Sequence, residues 1–139
     1  MPDFRERVMA ARQEELEAYE MYSELAAIAP TREMTLLIQS IAHDELGHSR
    51  ILAAMLEMED ESEIYTARAQ GRRRIPDRER FRRMVASSIE DELNAVSEYA
   101  QLAIMAPELE QRLLFLTLVA DEFGHARTFI AILNSSSEY

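Results

Sequence analysis

Apolar residues recur at alternating steps of four and three along the first 58 residues of the chain. One run begins at Phe4, a second begins at Met34, and Pro30 separates them. This period of about 3.5 residues is that of helices packed along a seam, and a proline can open a helix but not continue one. The pattern therefore predicts a helical hairpin. Its seam positions are Phe4, Val8, Ala11, Glu15, Ala18, Tyr22, Leu25 and Ala29, then Met34, Ile38, Ile41, Glu45, His48, Leu52 and Met55.

The same hairpin pattern occurs a second time. Residues 4–56 align with residues 81–133 without a gap, and 21 of the 53 aligned positions are identical. Pro107 takes the place of Pro30 in the second copy. The chain is therefore a duplicated unit.

The duplication predicts the fold. We expect an all-α protein, an antiparallel four-helix bundle in which a long crossover joins the two hairpins. A chain of 139 residues is of the size of one domain with a real core. The expected single domain, 1–139, consists of repeat 1 (about 3–58), the crossover (about 59–76) and repeat 2 (about 77–134).

Each repeat carries the sequence Asp-Glu-x-Gly-His, at residues 44–48 and 121–125. Its glutamate and histidine are three residues apart, so on a helix they share one face and can reach a single ion. One more glutamate falls on the seam of the first helix of each repeat. The six polar residues at these seam positions are Glu15, Glu45, His48, Glu92, Glu122 and His125.

The glutamates of each repeat are equally distant from its proline. Glu15 and Glu45 each lie 15 residues from Pro30, and the two glutamates of repeat 2 lie equally far from the second proline. At ~1.5 Å per residue, both pairs lie about 22 Å from their turns. The four carboxylates can therefore meet in one layer, where burial without cations would be costly or force protonation.

Two divalent cations balance four carboxylates, and carboxylate with imidazole suits iron or manganese. We therefore expect two iron ions, with manganese as the open alternative. Glu45 and Glu122 are assigned as bridging ligands, because they face each other across the pseudo-twofold axis. The terminal ligands are Glu15, His48, Glu92 and His125.

Four further residues are candidates for supporting these ligands. Asp44 and Asp121 precede the bridging glutamates and can accept the free ring N–H of the opposite repeat's histidine. The alternative is that both are exposed helix aspartates. Tyr22 and Tyr99 lie two turns beyond the first-helix glutamates, where each hydroxyl either bonds a carboxylate or only packs.

Gly47 and Gly124 occur at the same place in both copies. Glycine inside a helix costs about 1 kcal/mol relative to alanine. Their recurrence suggests a close approach of two helices or room beside the metals.

The composition limits the partners of the chain. A formal net charge of −11 argues against nucleic acid, and no apolar run is long enough to span a membrane. Cysteine is absent, so disulfides and thiolate sites are excluded. The charged start does not resemble a secretion signal, and a cytoplasmic location is expected.

All fifteen basic residues are arginine, and eight of them lie between Arg68 and Arg83. One interpretation is a docking patch for an acidic partner. The other is a solvated connection whose cations lie near a helix end.

With these six ligands and their spacing, the chain resembles the ferritin-like superfamily, and most closely rubrerythrin-like di-iron proteins. The segment Glu14–Ala18, with Tyr22 and the step of thirty residues to Glu45, also resembles encapsulated ferritins, whose single hairpins pair two chains. The resemblance implies iron binding, oxidation of Fe(II) by O₂ or peroxide (H₂O₂), and an external electron donor or iron acceptor.

Three features differ from that family pattern. Rubrerythrins proper carry a cysteine-rich electron-transfer module, and this chain has no cysteine. They also have a carboxylate one turn after the third-helix ligand, where this chain has Ala95. No fifth helix is expected after Asn134, so mineral storage in a self-built shell is not expected.

The functional hypothesis is a dinuclear iron oxidoreductase. Its alternatives are an iron-binding or delivery protein without turnover, a dimanganese site, and a metal-free helical interaction module. The site lies within one chain, and the sequence leaves open whether a homodimer forms through the remaining helix faces.

Overall fold

The computed structural model describes residues 2–70 and 72–136. Over these residues the chain forms five α-helices and no strand, which confirms the all-α prediction and agrees with a helical bundle. The helices are α1 (Phe4–Ala27), α2 (Arg32–Met55), α3 (Ser62–Ala69), α4 (Arg78–Met105) and α5 (Leu109–Ser136).

The chain divides into two compact units, Met1–Phe81 and Arg82–Tyr139. Repeat 1 and the crossover belong to the first unit, and most of repeat 2 forms the second. The boundary falls in the first turn of α4. A single domain over 1–139 stays a prediction.

Helices α1 and α2 have clear start signals in the sequence. Asp3 caps α1 by accepting a hydrogen bond from the Glu6 backbone N–H (2.8 Å), and the Glu6 side chain accepts from the Asp3 N–H (3.3 Å). This reciprocal pair is a capping box. Thr31 caps α2 through Met34 (3.2 Å). Pro30 lies in the turn between the two helices, as predicted.

Most positions of the predicted seam of repeat 1 are buried. Val8 and Leu25 on α1, and Ile38 and Leu52 on α2, have no exposed surface. Each such side chain contributes about 1.5–3 kcal/mol by leaving water. The hairpin is therefore held by the face on which the glutamates also lie.

The crossover contains the helix α3, which the apolar pattern did not predict. α3 packs on α1 and α2 through polar contacts. Gln13 donates to the Tyr65 hydroxyl (3.1 Å), and Arg50 donates to the Ser62 hydroxyl (2.9 Å). A helix of eight residues is too short to be stable alone, so tertiary contacts stabilise it.

The end of the crossover is tied to the C-terminus of α1. The Ile75 N–H donates to the Ala27 carbonyl (2.8 Å), and the Asp77 N–H donates to the Ile28 carbonyl (3.0 Å). Arg74 donates to the Ala29 carbonyl (3.0 Å). These bonds satisfy carbonyls that a helix end leaves open, and the contact of Arg74 supports the interpretation of cations near a helix end. A docking patch for an acidic partner stays untested.

In the second unit, α4 and α5 form the second hairpin, with Pro107 in the turn. The rings of Tyr99 and Phe115 stack with centroids 6.1 Å apart. Arg112 donates to the Ala106 carbonyl (2.7 Å). These contacts hold the two helices together near their turn.

The backbone is strained at Glu57, just after the C-terminus of α2. Glu57 has a φ of 55°, and its N–H donates to the Ala54 carbonyl (3.1 Å). The Met58 N–H donates to the Ala53 carbonyl (2.8 Å), which completes a Schellman cap. Glycine adopts this left-handed conformation without the penalty that a Cβ brings.

We therefore expect Glu57→Gly to raise the free energy of unfolding by about 1 kcal/mol, the left-handed penalty less the added entropy of glycine. Urea denaturation of the metal-free protein measures it. Glu59→Gly is the control, because Glu59 is exposed nearby without a positive φ. Equal effects of the two substitutions would contradict the strain.

Candidate metal centre

In the first unit, α1 and α2 bring three predicted ligands together. Nδ1 of His48 lies 3.5 Å from a Glu15 carboxylate oxygen and 3.7 Å from a Glu45 carboxylate oxygen. Each of the three side chains offers a ligand atom within 4.8 Å of the others. We call these residues the first triad. Glu45 and His48 share a helix face one turn apart, and Glu15 is supplied by the facing helix.

In the second unit, α4 and α5 build the same arrangement. Nδ1 of His125 lies 3.5 Å from a Glu92 carboxylate oxygen and 3.8 Å from a Glu122 carboxylate oxygen. We call these residues the second triad. The matching distances differ by at most 0.1 Å between the triads. The duplicated sequence therefore produces a duplicated ligand geometry.

All six side chains are withdrawn from water, with exposed fractions of only 1 to 6%. Transfer of an ionised carboxylate into such a place costs several kcal/mol unless a counter-charge accompanies it. Each triad holds two carboxylates and one imidazole, which is neutral when it binds a metal. One divalent cation per triad would balance the charge.

The spacing of the ligand atoms fits an ion. Two atoms bound to one metal at about 2.1 Å, at angles of 90–110°, lie about 3.0–3.4 Å apart. The distances of 3.5–3.8 Å exceed the 2.7–3.2 Å of a direct hydrogen bond. Small side-chain movements would bring the three ligand atoms of each triad within bonding distance of one metal ion. The set of donors suits iron or manganese.

The four predicted supporting residues lie in two environments. Tyr22 and Tyr99 are buried, with 1% and 2% of their surface exposed. Asp44 and Asp121 are exposed on α2 and α5. The role of all four beside the ligands stays a prediction.

The pKa of Asp91 reflects the burial and the charges next to the second triad. Partial burial, followed by the nearby carboxylates of Glu92 and Glu90, raises the pKa of Asp91 above its ordinary value. Burial and the neighbouring negative charges therefore both disfavour the ionised form of Asp91.

The clusters that could hold an ion were compared with the predicted ligands over the part of the chain that the structure describes. There, the clusters of carboxylates and histidines that could hold an ion contain only the six predicted residues. His43, which has no counterpart in repeat 2, is exposed, and its Nδ1 lies 2.7 Å from the Gln39 carbonyl. It takes no part in either triad.

Of the two reasons proposed for the helical glycines, a close approach of helices is wrong, whereas room beside the metals stays a prediction. A Cβ added at Gly47 or Gly124 would meet no atom within 4 Å. The glycines therefore do not mark a close approach of helices, and neighbouring side chains do not fill the space beside them.

Because this space is open, Gly47→Ala and Gly124→Ala should each raise the free energy of unfolding by about 1 kcal/mol. Urea denaturation measures the gain, and the iron stoichiometry should not change. Ala86→Gly, at an exposed position of α4, is the reverse control and should lower the free energy of unfolding by a similar amount. Lower stability or less bound iron in the alanine variants would contradict this expectation. It would indicate that the space beside the glycines is needed for folding or for metal binding.

Two helical hairpins, each with a buried triad of two glutamates and one histidine, define a class of protein: all-α proteins with carboxylate and histidine clusters able to hold metal. The sequence model of the rubrerythrin family matches residues 6–133, almost the whole chain. The chain belongs to the rubrerythrin family, which confirms the resemblance seen in its motifs. Comparisons with curated proteins and with solved structures find no match.

Membership of this family and the two triads together support metal binding of the di-iron type. Among the described helices, none combines the length and the apolar character that a membrane crossing requires.

Proposed function

We propose that the protein is a dinuclear iron oxidoreductase that oxidises Fe(II) with O₂ or H₂O₂. The observation that carries this proposal is the occurrence of two buried triads with the same ligands and the same distances. In the proposed site the triads combine into one centre with four glutamates and two histidines. Glu45 and Glu122 would bridge the two ions, and the other four residues would each hold one ion.

The charges of the triads support two ions per chain. A single divalent cation would leave two of the four buried carboxylates uncompensated, and these would be protonated or strongly destabilising. Two divalent cations compensate all four. Corresponding distances in the two triads agree within 0.1 Å, so the two triads should have similar affinity for iron. They should therefore fill at similar iron concentrations.

The residues of the chain have distinct tasks in this proposal. His48 and His125 bind through a ring nitrogen, which requires that both imidazoles be neutral. The glutamate carboxylates would balance the charge of the cations. They do so in a place that excludes bulk water, where electrostatic interactions are strong. When iron is bound, it supplies the one-electron steps that the side chains cannot perform.

The electrons balance with either oxidant. Two Fe(II) ions give up two electrons, which with two protons reduce H₂O₂ to two water molecules or O₂ to H₂O₂. The chain has no cysteine and hence no thiol or thiolate iron centre that could return these electrons. Turnover therefore requires an external electron donor, or release of Fe(III) to an acceptor.

An anaerobic titration of the metal-free protein with Fe(II) tests the proposal, followed by stopped-flow mixing with O₂ or H₂O₂. We expect saturation near two Fe per chain and rapid formation of Fe(III) absorbance, repeated on each new addition of Fe(II). Two bound Fe(II) without oxidation by either oxidant would favour a carrier. A lack of stoichiometric iron binding would contradict the proposal and favour manganese or a metal-free module.

Two histidines on α2 supply a matched control for this titration. His48→Ala removes a buried ligand and should lower the iron stoichiometry to one or less. His43→Ala removes an exposed histidine outside the triads and should leave it unchanged. Circular dichroism of both variants checks that α-helicity is retained. Equal iron binding by the two variants would remove His48 from the site.

The assignment of the bridges makes a separate prediction. Because Glu45 and Glu122 occupy the same position of the two repeats, Glu45→Ala and Glu122→Ala should reduce iron binding and oxidation to a similar extent. Iron stoichiometry and the oxidation rate are compared at equal protein concentration. Retention of both ions in one variant and loss of both in the other would contradict the symmetric centre.

A further inference from the structure

A pocket lies in the first unit, between the first hairpin and the crossover. Its volume is about 490 Å³, within the range of about 300–1,000 Å³ that small-molecule sites occupy. All of its lining residues belong to the first unit, and none of them is a triad ligand. We call it the crossover pocket. Its polar lining includes Ser23, Thr35, Gln39, His43, Thr66 and Arg74.

The lining of the crossover pocket carries positive charge. Arg72 and Arg74 contribute two guanidinium groups, and none of the described lining residues is an aspartate or a glutamate. Glu20, which follows the lining residue Tyr19 on α1, is paired with Arg68 (3.8 Å). In a chain whose net charge is −11, this pocket is therefore a place where an anion is attracted.

Two hydrogen bonds hold Arg74 in position. Its guanidinium donates to the Ala29 carbonyl (3.0 Å), and the backbone N–H of the next residue, Ile75, donates to the Ala27 carbonyl (2.8 Å). A guanidinium has five N–H donors, and the bond to Ala29 uses only one of them. Because the side chain is already fixed, little freedom is lost when an anion binds to the remaining donors.

The ring of His43 is also held in position. A carbonyl oxygen only accepts, so Nδ1 of His43 donates to the Gln39 carbonyl (2.7 Å). The ring lies edge-on to Tyr19, with centroids 6.3 Å apart. When the imidazole is neutral, its Nε2 is therefore the acceptor, and it can receive a hydrogen bond from a ligand hydroxyl.

Three hydroxyl groups of the lining also offer acceptors. Ser23, Thr35 and Thr66 each donate to a backbone carbonyl of α1 or α3, at 2.8, 3.1 and 3.0 Å respectively. A hydroxyl has a single proton, so what remains for a ligand is a lone pair on its oxygen. A ligand that satisfies this lining brings hydrogen-bond donors as well as negative charge.

The duplication shows that the helices do not require these polar side chains. Four polar lining positions of α1 and α2 are occupied by apolar residues at the same positions of α4 and α5, whereas the triad ligands are identical in both repeats. The polar lining is therefore a property of repeat 1 alone, with a purpose other than helix formation. The aligned pairs are Tyr19 and Val96, Ser23 and Ala100, Gln39 and Leu116, and His43 and Ala120.

We propose that the crossover pocket binds a small organic anion that also carries hydroxyl groups, of the hydroxy-acid or sugar-phosphate type. Its anionic group would lie against Arg72 and Arg74, because a guanidinium can pair with a carboxylate or a phosphate through two parallel N–H bonds. Its hydroxyl groups would donate to Nε2 of His43 and to the hydroxyl oxygens of the lining. None of these contacts involves a triad ligand, so binding should not require iron.

Isothermal titration calorimetry tests the site with citrate and with ribose 5-phosphate. The protein is used without metal, because citrate also binds iron. We expect at least one of the two probes to bind with a dissociation constant of about 1 mM or lower, at one molecule per chain. Binding of citrate would identify the hydroxy-acid type, and binding of ribose 5-phosphate the sugar-phosphate type. Binding of neither probe would overturn the proposal.

Each probe has a control that lacks one of its two features. Tricarballylate has the carboxylates of citrate without its hydroxyl group, and ribose has the hydroxyl groups of ribose 5-phosphate without its charge. Each control should bind about tenfold more weakly than its probe, or not at all. A control that binds as tightly as its probe would contradict the assigned class of ligand.

Two neighbouring arginines give a matched pair of variants. Arg74 lines the pocket and Arg73 does not, although both are exposed residues of the crossover. Arg74→Gln and Arg73→Gln remove the same charge, but only Arg74→Gln should weaken binding, by about tenfold. Equal losses would show that the charge of the whole segment attracts the anion, and would overturn the assignment to the pocket.

A second variant is needed, because Arg74 also bonds the end of α1. His43→Ala introduces the residue that repeat 2 carries at this position, Ala120. It should weaken binding of the anion while the iron stoichiometry stays unchanged, which separates this site from the triads. Circular dichroism checks that both variants retain their α-helicity. Full binding by both His43→Ala and Arg74→Gln would contradict the proposed site.

Discussion

Four carboxylates and two imidazoles withdrawn from water are the constraint on which the rest of this structure depends. Their helices are long and otherwise apolar along the seam, so the hydrophobic effect alone would favour leucine at each of these positions. The chain instead retains groups whose burial is costly. A cation would offset that cost, because its charge balances the carboxylates in a place where their attraction is strong. The stability of the folded protein should therefore be linked to metal concentration.

The duplication explains how one short chain produces this environment. A triad needs a first helix that supplies one glutamate and a second that supplies Glu-x-x-His, and one hairpin contains both. The distances in the two triads agree closely, although more than half of the aligned residues differ. Conversely, the surroundings of the triads have diverged. α3 packs on both helices of repeat 1, and Leu16 of repeat 1 is buried where its counterpart Leu93 is 43% exposed.

Much of the fold and of the two triads could be predicted from the sequence, because both depend on periodicity. The spacing of the seam placed the helices and the prolines placed the turns. The spacing also predicted the three residues of each triad, because i and i+3 side chains share a helix face. α3 was not predicted, since its eight residues form no seam and are stabilised by distant partners such as Gln13 and Arg50. The recurrence of Gly47 and Gly124 suggested either a close approach of helices or room beside the metals, and a sequence does not show whether the space beside a glycine is filled.

The presence of both triads in one chain has a consequence for how they can change. In a protein made from two identical hairpins, one substitution would alter both triads at once. Here Glu15 and Glu92 are separate residues, so a substitution at one leaves the other intact. The two triads can therefore diverge and become specialised independently.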